Sequence, residues 1–311
     1  MNDARSQAIS DLRRQALLTS CPITAGMCAR SADDVEAGGP LWTLLEPSAH
    51  LGSGSALPLR LTGAAHRLAL DGRAPEYAAH LPTCGGDGDV EGAWQALRAL
   101  AASGALGDEV RRPVQTNEPG RRAALLPAFR AVHRQGARPL RLLEVGASAG
   151  LLLRRIDDVP VVARRGCDVN PLDPADPAHR LLLLSFVWPS QVDRFANLQR
   201  ALDEAATDPL PVDRADAGEW LAAQLAGRRP GRATVVFHSV VWQYLPASTR
   251  QAIDLALGEA ARRADHDAPL AYVRFEPAGD HAETWLQTWP RGDDRLVATS
   301  GFHGQAVELA A

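Results

Sequence analysis

The chain contains no lysine, and its 33 basic side chains are all arginine. Without lysine the chain can neither form a Schiff base with a carbonyl substrate nor supply the lysine of a phosphate-binding P-loop. Both kinds of site are therefore excluded. Acidic residues outnumber basic ones, giving a formal net charge of −4. This balance argues against a nucleic acid or a membrane surface as the main partner.

Paired cysteines and long apolar runs are also missing. The four cysteines are scattered and form no C-x-x-C pair, so we expect neither a metal cluster nor a disulfide framework. The longest strongly apolar run, residues 181–188, is interrupted by Ser185 and is too short to cross a bilayer. The polar N-terminus lacks the pattern of a signal peptide. Together these features predict a soluble, cytoplasmic protein.

The spacing of apolar residues changes along the chain. Residues 1 to about 110 have apolar residues at helical spacing, with polar, glycine-rich breaks at 36–39, 52–55 and 84–88. From residue 138, strand patterns alternate with helical ones, which is typical of a parallel sheet covered by helices. We predict an N-terminal helical (cap) domain at 1–110 and a Rossmann-like α/β domain at 111–311.

The second region contains five candidate parallel strands. In chain order they are Leu140–Glu144, Val161–Asp168, Val212–Asp216, Thr234–Ser239 and Leu270–Glu276. The helical patterns that follow the second, third and fourth strands cover residues 192–206, 218–226 and 248–264. A final pair near 284–289 and 294–299, with an apolar tail at 306–309, predicts an antiparallel edge.

Residues 142–151 read Leu-Leu-Glu-Val-Gly-Ala-Ser-Ala-Gly-Leu, which predicts a buried strand, a loop of small residues and the start of a helix. A dinucleotide-binding fingerprint, G-x-G-x-x-G, would need glycine at positions 148 and 151, where this chain has Ser148 and Leu151. The remaining pattern, E-x-G-x-x-x-G, resembles the first motif of class I S-adenosylmethionine-dependent methyltransferases. An acid such as Glu144 suits that cofactor, which carries a sulfonium and an ammonium but no phosphate. The alternative is an ordinary strand–turn–helix.

Two aspartates end the next predicted strands. Asp168 lies where an acid could accept hydrogen bonds from ribose hydroxyls, although the sequence around it also suits an Asp-x-Asn-Pro turn. Asp216 lies where a methyltransferase holds the adenine amino group, but it could equally cap the following helix.

His238 ends the fourth strand, beside Ser239, and could face the transferred methyl group as a general base. A structural histidine is the alternative. Upstream, residues 114–122 form a dense polar cluster before an apolar helix at Ala123–Val132. Arg121 could pair with the carboxylate of the cofactor, with Glu118 holding its guanidinium. The plainer interpretation is a helix start, capped by Thr116 or Asn117.

Several segments together resemble a bacterial family known as domain of unknown function 2332. They are residues 115–121, 142–150, 166–174, 187–189, 237–239 and 244–245. The family is similar in fold pattern to class I methyltransferases, which implies an S-adenosylmethionine-dependent methyltransferase acting on a small molecule. In that interpretation His238 and Asn117 face the acceptor. The residues expected to hold S-adenosyl-L-methionine are Glu144, Gly146, Ala147, Ser148, Gly150, Asp168, Asp216 and Arg121.

Two other functions remain open at this point. A non-catalytic module could keep the same fold and use its cleft to bind a partner, and the lack of a recognised acceptor motif after the fourth strand favours this alternative. A nicotinamide-dependent enzyme is disfavoured by the missing central glycine.

Overall fold

The structure is a computed structural model that describes residues 3–49, 56–227 and 229–310, so the predicted break at 52–55 lies outside it. The chain forms two compact units. One comprises Met1–Thr116 and Asp176–Arg200, and the other comprises Asn117–Ala175 and Ala201–Ala311. Residues 176–200, which lie within the predicted second domain, therefore pack with the N-terminal helices.

The first unit is helical, as the apolar spacing predicts. Its helices are α1 (Asp3–Leu18), α2 (Pro22–Glu36), α3 (Pro40–Ala49), α4 (Leu57–Leu70), α5 (Pro75–Ala78), α6 (Val90–Ala102), α7 (Gly107–Arg111) and α9 (Pro177–Ser185). Apolar side chains such as Leu12, Met27 and Leu61 are fully buried in its core. None of the helices in the described ranges has both the length and the hydrophobicity that crossing a bilayer requires.

A buried ion pair joins α4 and α7. Arg67 Nε donates to Glu109 Oε2 at 2.7 Å, and Arg67 Nη1 donates to Ser185 Oγ at 3.2 Å. Arg73 donates to the other oxygen of Glu109. Burial by itself would raise the pKa of Glu109, but hydrogen bonds from Arg73 and Arg67 outweigh it and hold that pKa below its usual value. The charges therefore stabilise each other inside the unit.

The second unit contains an eight-stranded sheet in the order β3-β2-β1-β4-β5-β6-β7-β8. The strands are β1 (Leu140–Val145), β2 (Val161–Asp168), β3 (Val212–Arg214), β4 (Ala233–Ser239), β5 (Leu270–Ala278), β6 (His281–Trp289), β7 (Asp294–Ser300) and β8 (Glu308–Leu309). Strands β1 to β5 pair in parallel, and β6 to β8 form the antiparallel edge. The predicted α/β class, with a mostly parallel sheet and an N-terminal helical region, is confirmed.

Alternate residues of each strand point to opposite faces of the sheet. On one face, Leu142 and Phe237 belong to a core that includes α8 (Arg122–Arg134), where Phe129 meets Phe237 edge-on. On the other, Val145 and Val236 pack with α11 (Ala217–Leu225) and α12 (Ala247–Arg263). We call these the α8 face and the α12 face. The remaining helix, α10 (Val192–Thr207), leads towards β3.

The helix expected after β1 is absent. Only a short 3-10 turn, Leu151–Leu153, follows the loop before the chain enters β2. These leucines are buried, whereas the next residues include the charged pair Asp157 and Asp158, both exposed. The apolar stretch is therefore too short for a helix with a buried face. The prediction of a helix N-terminus at this loop was wrong.

Glu109→Ala should test the buried ion pair of the helical unit. It leaves the Arg67 guanidinium buried without its principal carboxylate, so we expect the free energy of unfolding to fall by about 3–5 kcal/mol in urea titrations. The control is Asp108→Ala, whose side chain is 97% exposed. It should change stability by less than about 0.5 kcal/mol. Equal losses in the two variants would contradict the assignment.

Candidate functional site

Glu144, near the end of the central strand β1, is the most unusual charged residue of the sheet. It is only 1% exposed, and its Oε2 atom is buried with no hydrogen-bond partner in the described part of the chain. Burial and the nearby Asp168 carboxylate raise the pKa of Glu144 well above its usual range, and Arg121 partly opposes them. The site therefore contains a carboxyl group that is costly to ionise until a positive group approaches.

Side chains from two other segments hold the loop after β1. Asp168 Oδ2 accepts a hydrogen bond from the Ser148 N–H at 2.9 Å. Asn117 Oδ1 accepts from the N–H groups of Ala149 and Leu151, at 3.2 and 3.0 Å. The N–H groups of the loop need acceptors, and these side-chain oxygens supply them. Asn117 therefore positions the loop, rather than presenting its amide oxygen to a substrate.

Glycine at position 146 is required by the chain itself. Its φ of +69° lies in the left-handed region, and a Cβ atom there would lie 2.6 Å from Val241 Cγ2. Gly150 has a similar φ of +70°, and a Cβ there would be 3.2 Å from Val212 Cγ2. Ala147, between them, is fully buried. The small residues of the loop thus allow close packing against the neighbouring strands and turns.

Asp168 and Asp216 both accept hydrogen bonds from the protein chain. The second oxygen of Asp168 accepts from the Asn170 N–H at 2.8 Å, which forms the turn that the sequence allowed. Asp216 caps α11 through the Gly218 N–H and also accepts from Thr249 Oγ1 at 2.7 Å. The Thr249 hydrogen bond is the main cause of the lowered pKa of Asp216. The geometry of Asp216 is that of a helix cap.

Arg121 is buried and lies on the α8 face, near Glu144. Its Nε donates to the Phe302 carbonyl at 3.0 Å, and its Nη1 contacts both oxygens of Ser239 at 3.3 and 3.4 Å. Glu118, rather than Thr116 or Asn117, caps the short turn Pro119–Arg121 by accepting from the Gly120 N–H. The guanidinium therefore holds the end of β4, and its positive charge acts on Glu144.

His238 lies on the α12 face in a chain of hydrogen bonds. Its Nδ1 is 2.6 Å from Glu276 Oε1, and its Nε2 is 2.8 Å from the Tyr272 hydroxyl. Because an ionised carboxylate can only accept, Nδ1 is the donor to Glu276, and the tyrosine hydroxyl is the partner of Nε2. The indole of Trp242 stacks on the imidazole with ring centres 5.4 Å apart. Both nitrogens are thus engaged within the protein.

These residues form one wall of a cavity of about 460 Å³, which we call the His238 cavity. Its lining residues are His238, Trp242, Asp254, Tyr272, Arg274, Glu276, Pro277, Ala278, Glu283, Trp285 and Asp294. All of them belong to the sheet unit.

The predicted residues therefore form two groups rather than one. Asn117, Arg121 and Glu144 come together on the α8 face, around the loop. His238 is on the α12 face, because its register partner in β1 is Val145, the residue after Glu144. The two groups share the carboxyl edge of the sheet, and the strand pleat directs them to opposite sides.

Sequence reasoning missed Tyr272 and Glu276, which complete the hydrogen-bond chain of His238. The signal was present: Tyr272, Arg274 and Glu276 alternate along β5 and therefore share a face at its carboxyl end. The predicted strand ends at Glu276, but the pattern of the strand does not show that these two polar side chains contact His238.

The sequence pattern of the family DUF2332, described as an uncharacterized protein conserved in bacteria, matches residues 9–158 and 154–309. The chain belongs to this family. The match confirms the resemblance expected from the motifs, which lie within the matched segments. A comparison with curated proteins found no match. In the described ranges, no three His, Cys, Asp or Glu side chains are grouped as metal ligands would be.

The raised pKa of Glu144 predicts a pH-dependent stability. Between the usual glutamate pKa of about 4.3 and the higher value in the fold, the native state keeps a proton that the unfolded state releases, so stability falls as pH rises. Glu144→Gln removes this titration. Its stability relative to the wild type should therefore increase as the pH rises above the usual glutamate pKa.

Denaturant titrations across this pH range measure the difference. Glu308→Gln is the control, because Glu308 is exposed on β8 and its replacement should change stability by less than about 0.5 kcal/mol. A constant difference between Glu144→Gln and the wild type at every pH would contradict the shifted pKa.

Proposed function

We propose that the sheet unit is an S-adenosyl-L-methionine-dependent methyltransferase that acts on a small molecule. The observation that carries the proposal is the buried Glu144 carboxyl, whose Oε2 lacks a hydrogen-bond partner in the described chain. A buried polar atom without a partner is rare in proteins and indicates a missing group. A ligand with positive charge and N–H donors would stabilise it, and the methionine end of this cofactor has both.

The topology of the sheet supports the same location. The order β3-β2-β1-β4-β5 reverses direction between β1 and β4. Ligands of open α/β sheets bind beyond the carboxyl ends of the strands at this switch point. Glu144, Gly146, His238 and Ser239 all lie there. The order also agrees with a Rossmann-like methyltransferase sheet, which is part of this proposal.

In this proposal the residues around the loop have different roles. Glu144 holds the ammonium and sulfonium end, and Gly146, the only partly exposed residue of the loop 146–150, lets the cofactor approach the backbone. Asp168 has lone pairs left for ribose hydroxyls beyond the two N–H groups it already accepts. Asn117 and Arg121 are positioning residues, since both bind the protein chain.

The bound cofactor would supply an activated methyl group, so the protein has to orient the acceptor and exclude water. His238 can take up the proton that the acceptor loses, through the Tyr272 hydroxyl. Glu276 stabilises the resulting imidazolium by its contact with Nδ1. Burial keeps the pKa of Tyr272 above its usual value, so its hydroxyl remains a neutral relay.

Isothermal titration calorimetry with S-adenosylmethionine tests the proposal. Ionised Glu144 pairs with the cation best, so binding should release a proton and the heat should depend on the ionisation enthalpy of the buffer. Glu144→Gln should weaken binding by about 2 kcal/mol or more and abolish the proton release. Glu308→Gln should match the wild type. No binding, or unchanged binding by Glu144→Gln, would refute the role of Glu144.

The alternative is a non-catalytic binding module. It is favoured by the loop itself, because the N–H groups of Ser148, Ala149 and Leu151 bind side chains of the protein, and Asp216 caps a helix. Formation of S-adenosylhomocysteine with a broad panel of small acceptors separates the two functions. Cofactor binding without turnover on any acceptor would favour the module.

A further inference from the structure

The His238 cavity has an acidic, aromatic lining. Of its charged residues, Asp254, Glu276, Glu283 and Asp294 are acidic and only Arg274 is permanently basic. Its aromatic residues are Trp242, Tyr272 and Trp285. Aromatic faces with surrounding carboxylates attract cations, because the ring quadrupole and the acidic charge act in the same direction. The cavity is thus suited to a positively charged organic group.

Arg274 already shows how a cation interacts with these rings. Its guanidinium carbon lies 5.4 Å from the centre of the Tyr272 ring and 6.0 Å from that of Trp285. The same side chain forms an ion pair with Asp294 at 2.5 Å. A residue of the protein therefore occupies two of the three aromatic faces and uses one of the four acids. A second acid, Glu283, already accepts from the Trp285 indole N–H at 2.7 Å.

Two other carboxylates remain for a ligand. Glu276 Oε1 accepts from His238 and from the N–H groups of Val241 and Trp242, whereas Oε2 has no partner among the described residues. Asp254 makes no ion pair in the described chain and lies at the exposed side of the cavity. The negative charge therefore exceeds what Arg274 can balance.

We infer that the His238 cavity binds a small organic cation of the alkylammonium class, which sits against the Trp242, Tyr272 and Trp285 rings with its charge facing Glu276 and Asp254. Arg274 occupies part of the same surface and competes with the ligand. The cavity opens on the α12 face, on the opposite side of the sheet from Glu144.

Calorimetric titration with choline and tetramethylammonium tests this inference in the absence of S-adenosylmethionine, so that cation binding and cofactor binding succeed or fail separately. The control ligand is 3,3-dimethylbutan-1-ol, a neutral analogue of choline with the same shape. Ionic strength is kept constant with sodium chloride. We expect both cations to bind and the alcohol not to bind. Equal binding of the alcohol, or no binding of the cations at millimolar concentrations, would overturn the inference.

Variants of the lining locate the binding. Glu276→Gln and Trp285→Leu should each weaken tetramethylammonium binding about fivefold or more. The matched controls are Asp280→Asn, which removes an exposed acid outside the cavity, and Trp42→Leu, which removes a tryptophan that also contacts an arginine. Both should bind like the wild type. A control that weakens binding as much as the lining variants would overturn the site.

Arg274→Ala tests the competition. Removing the guanidinium frees the Tyr272 and Trp285 faces and leaves the cavity more negative, so tetramethylammonium should bind about fivefold more tightly. Weaker binding would show that Arg274 builds the site and does not compete for it. Circular dichroism of each variant verifies that the sheet unit is folded.

Discussion

The loop that follows the central strand β1 is not continued by an α-helix, so side chains from other segments have to accept hydrogen bonds from its N–H groups. The surroundings of Glu144 and of His238 both depend on these hydrogen bonds. Asn117 and Asp168 supply the acceptors for the N–H groups of the loop. With the loop fixed in this way, Gly146 can pack against Val241. The same segment carries Trp242, which stacks on His238. The side chains of Asn117 and Asp168 therefore fix the end of β1 beside the segment that forms one wall of the His238 cavity.

Burial of the Glu144 carboxyl is unfavourable for the isolated protein. A buried acid without a partner raises the free energy of the folded state, and the raised pKa of Glu144 reflects this cost. Arg121 reduces the cost but is itself committed to Phe302 and Ser239. A cationic ligand would remove the remaining penalty, so the binding of such a ligand would also stabilise the sheet unit.

The pleat of the sheet separates the two kinds of chemistry. Glu144 and His238 come from neighbouring strands at the same edge, yet their side chains point to opposite faces. The α8 face holds the buried Glu144 carboxyl, with the Asp168 carboxylate and the Arg121 guanidinium acting on it, whereas the α12 face holds an acidic cavity with aromatic walls. An acceptor that gives its proton to His238 would therefore have to reach a methyl donor at Glu144 around the carboxyl edge, beside Gly146 and Val241.

The sequence alone was sufficient to predict the α/β class, the five parallel strands and the antiparallel edge. These features follow from local periodicity and from composition, which are properties of neighbouring residues. The use of Asn117 as an acceptor for the loop depended on a contact between distant segments. The same holds for the partnership of His238 with Tyr272 and Glu276. Alternation along a strand shows which of its residues share a face. It does not show which side of the sheet that is or which partner from another strand a side chain contacts, because packing of the whole sheet decides both.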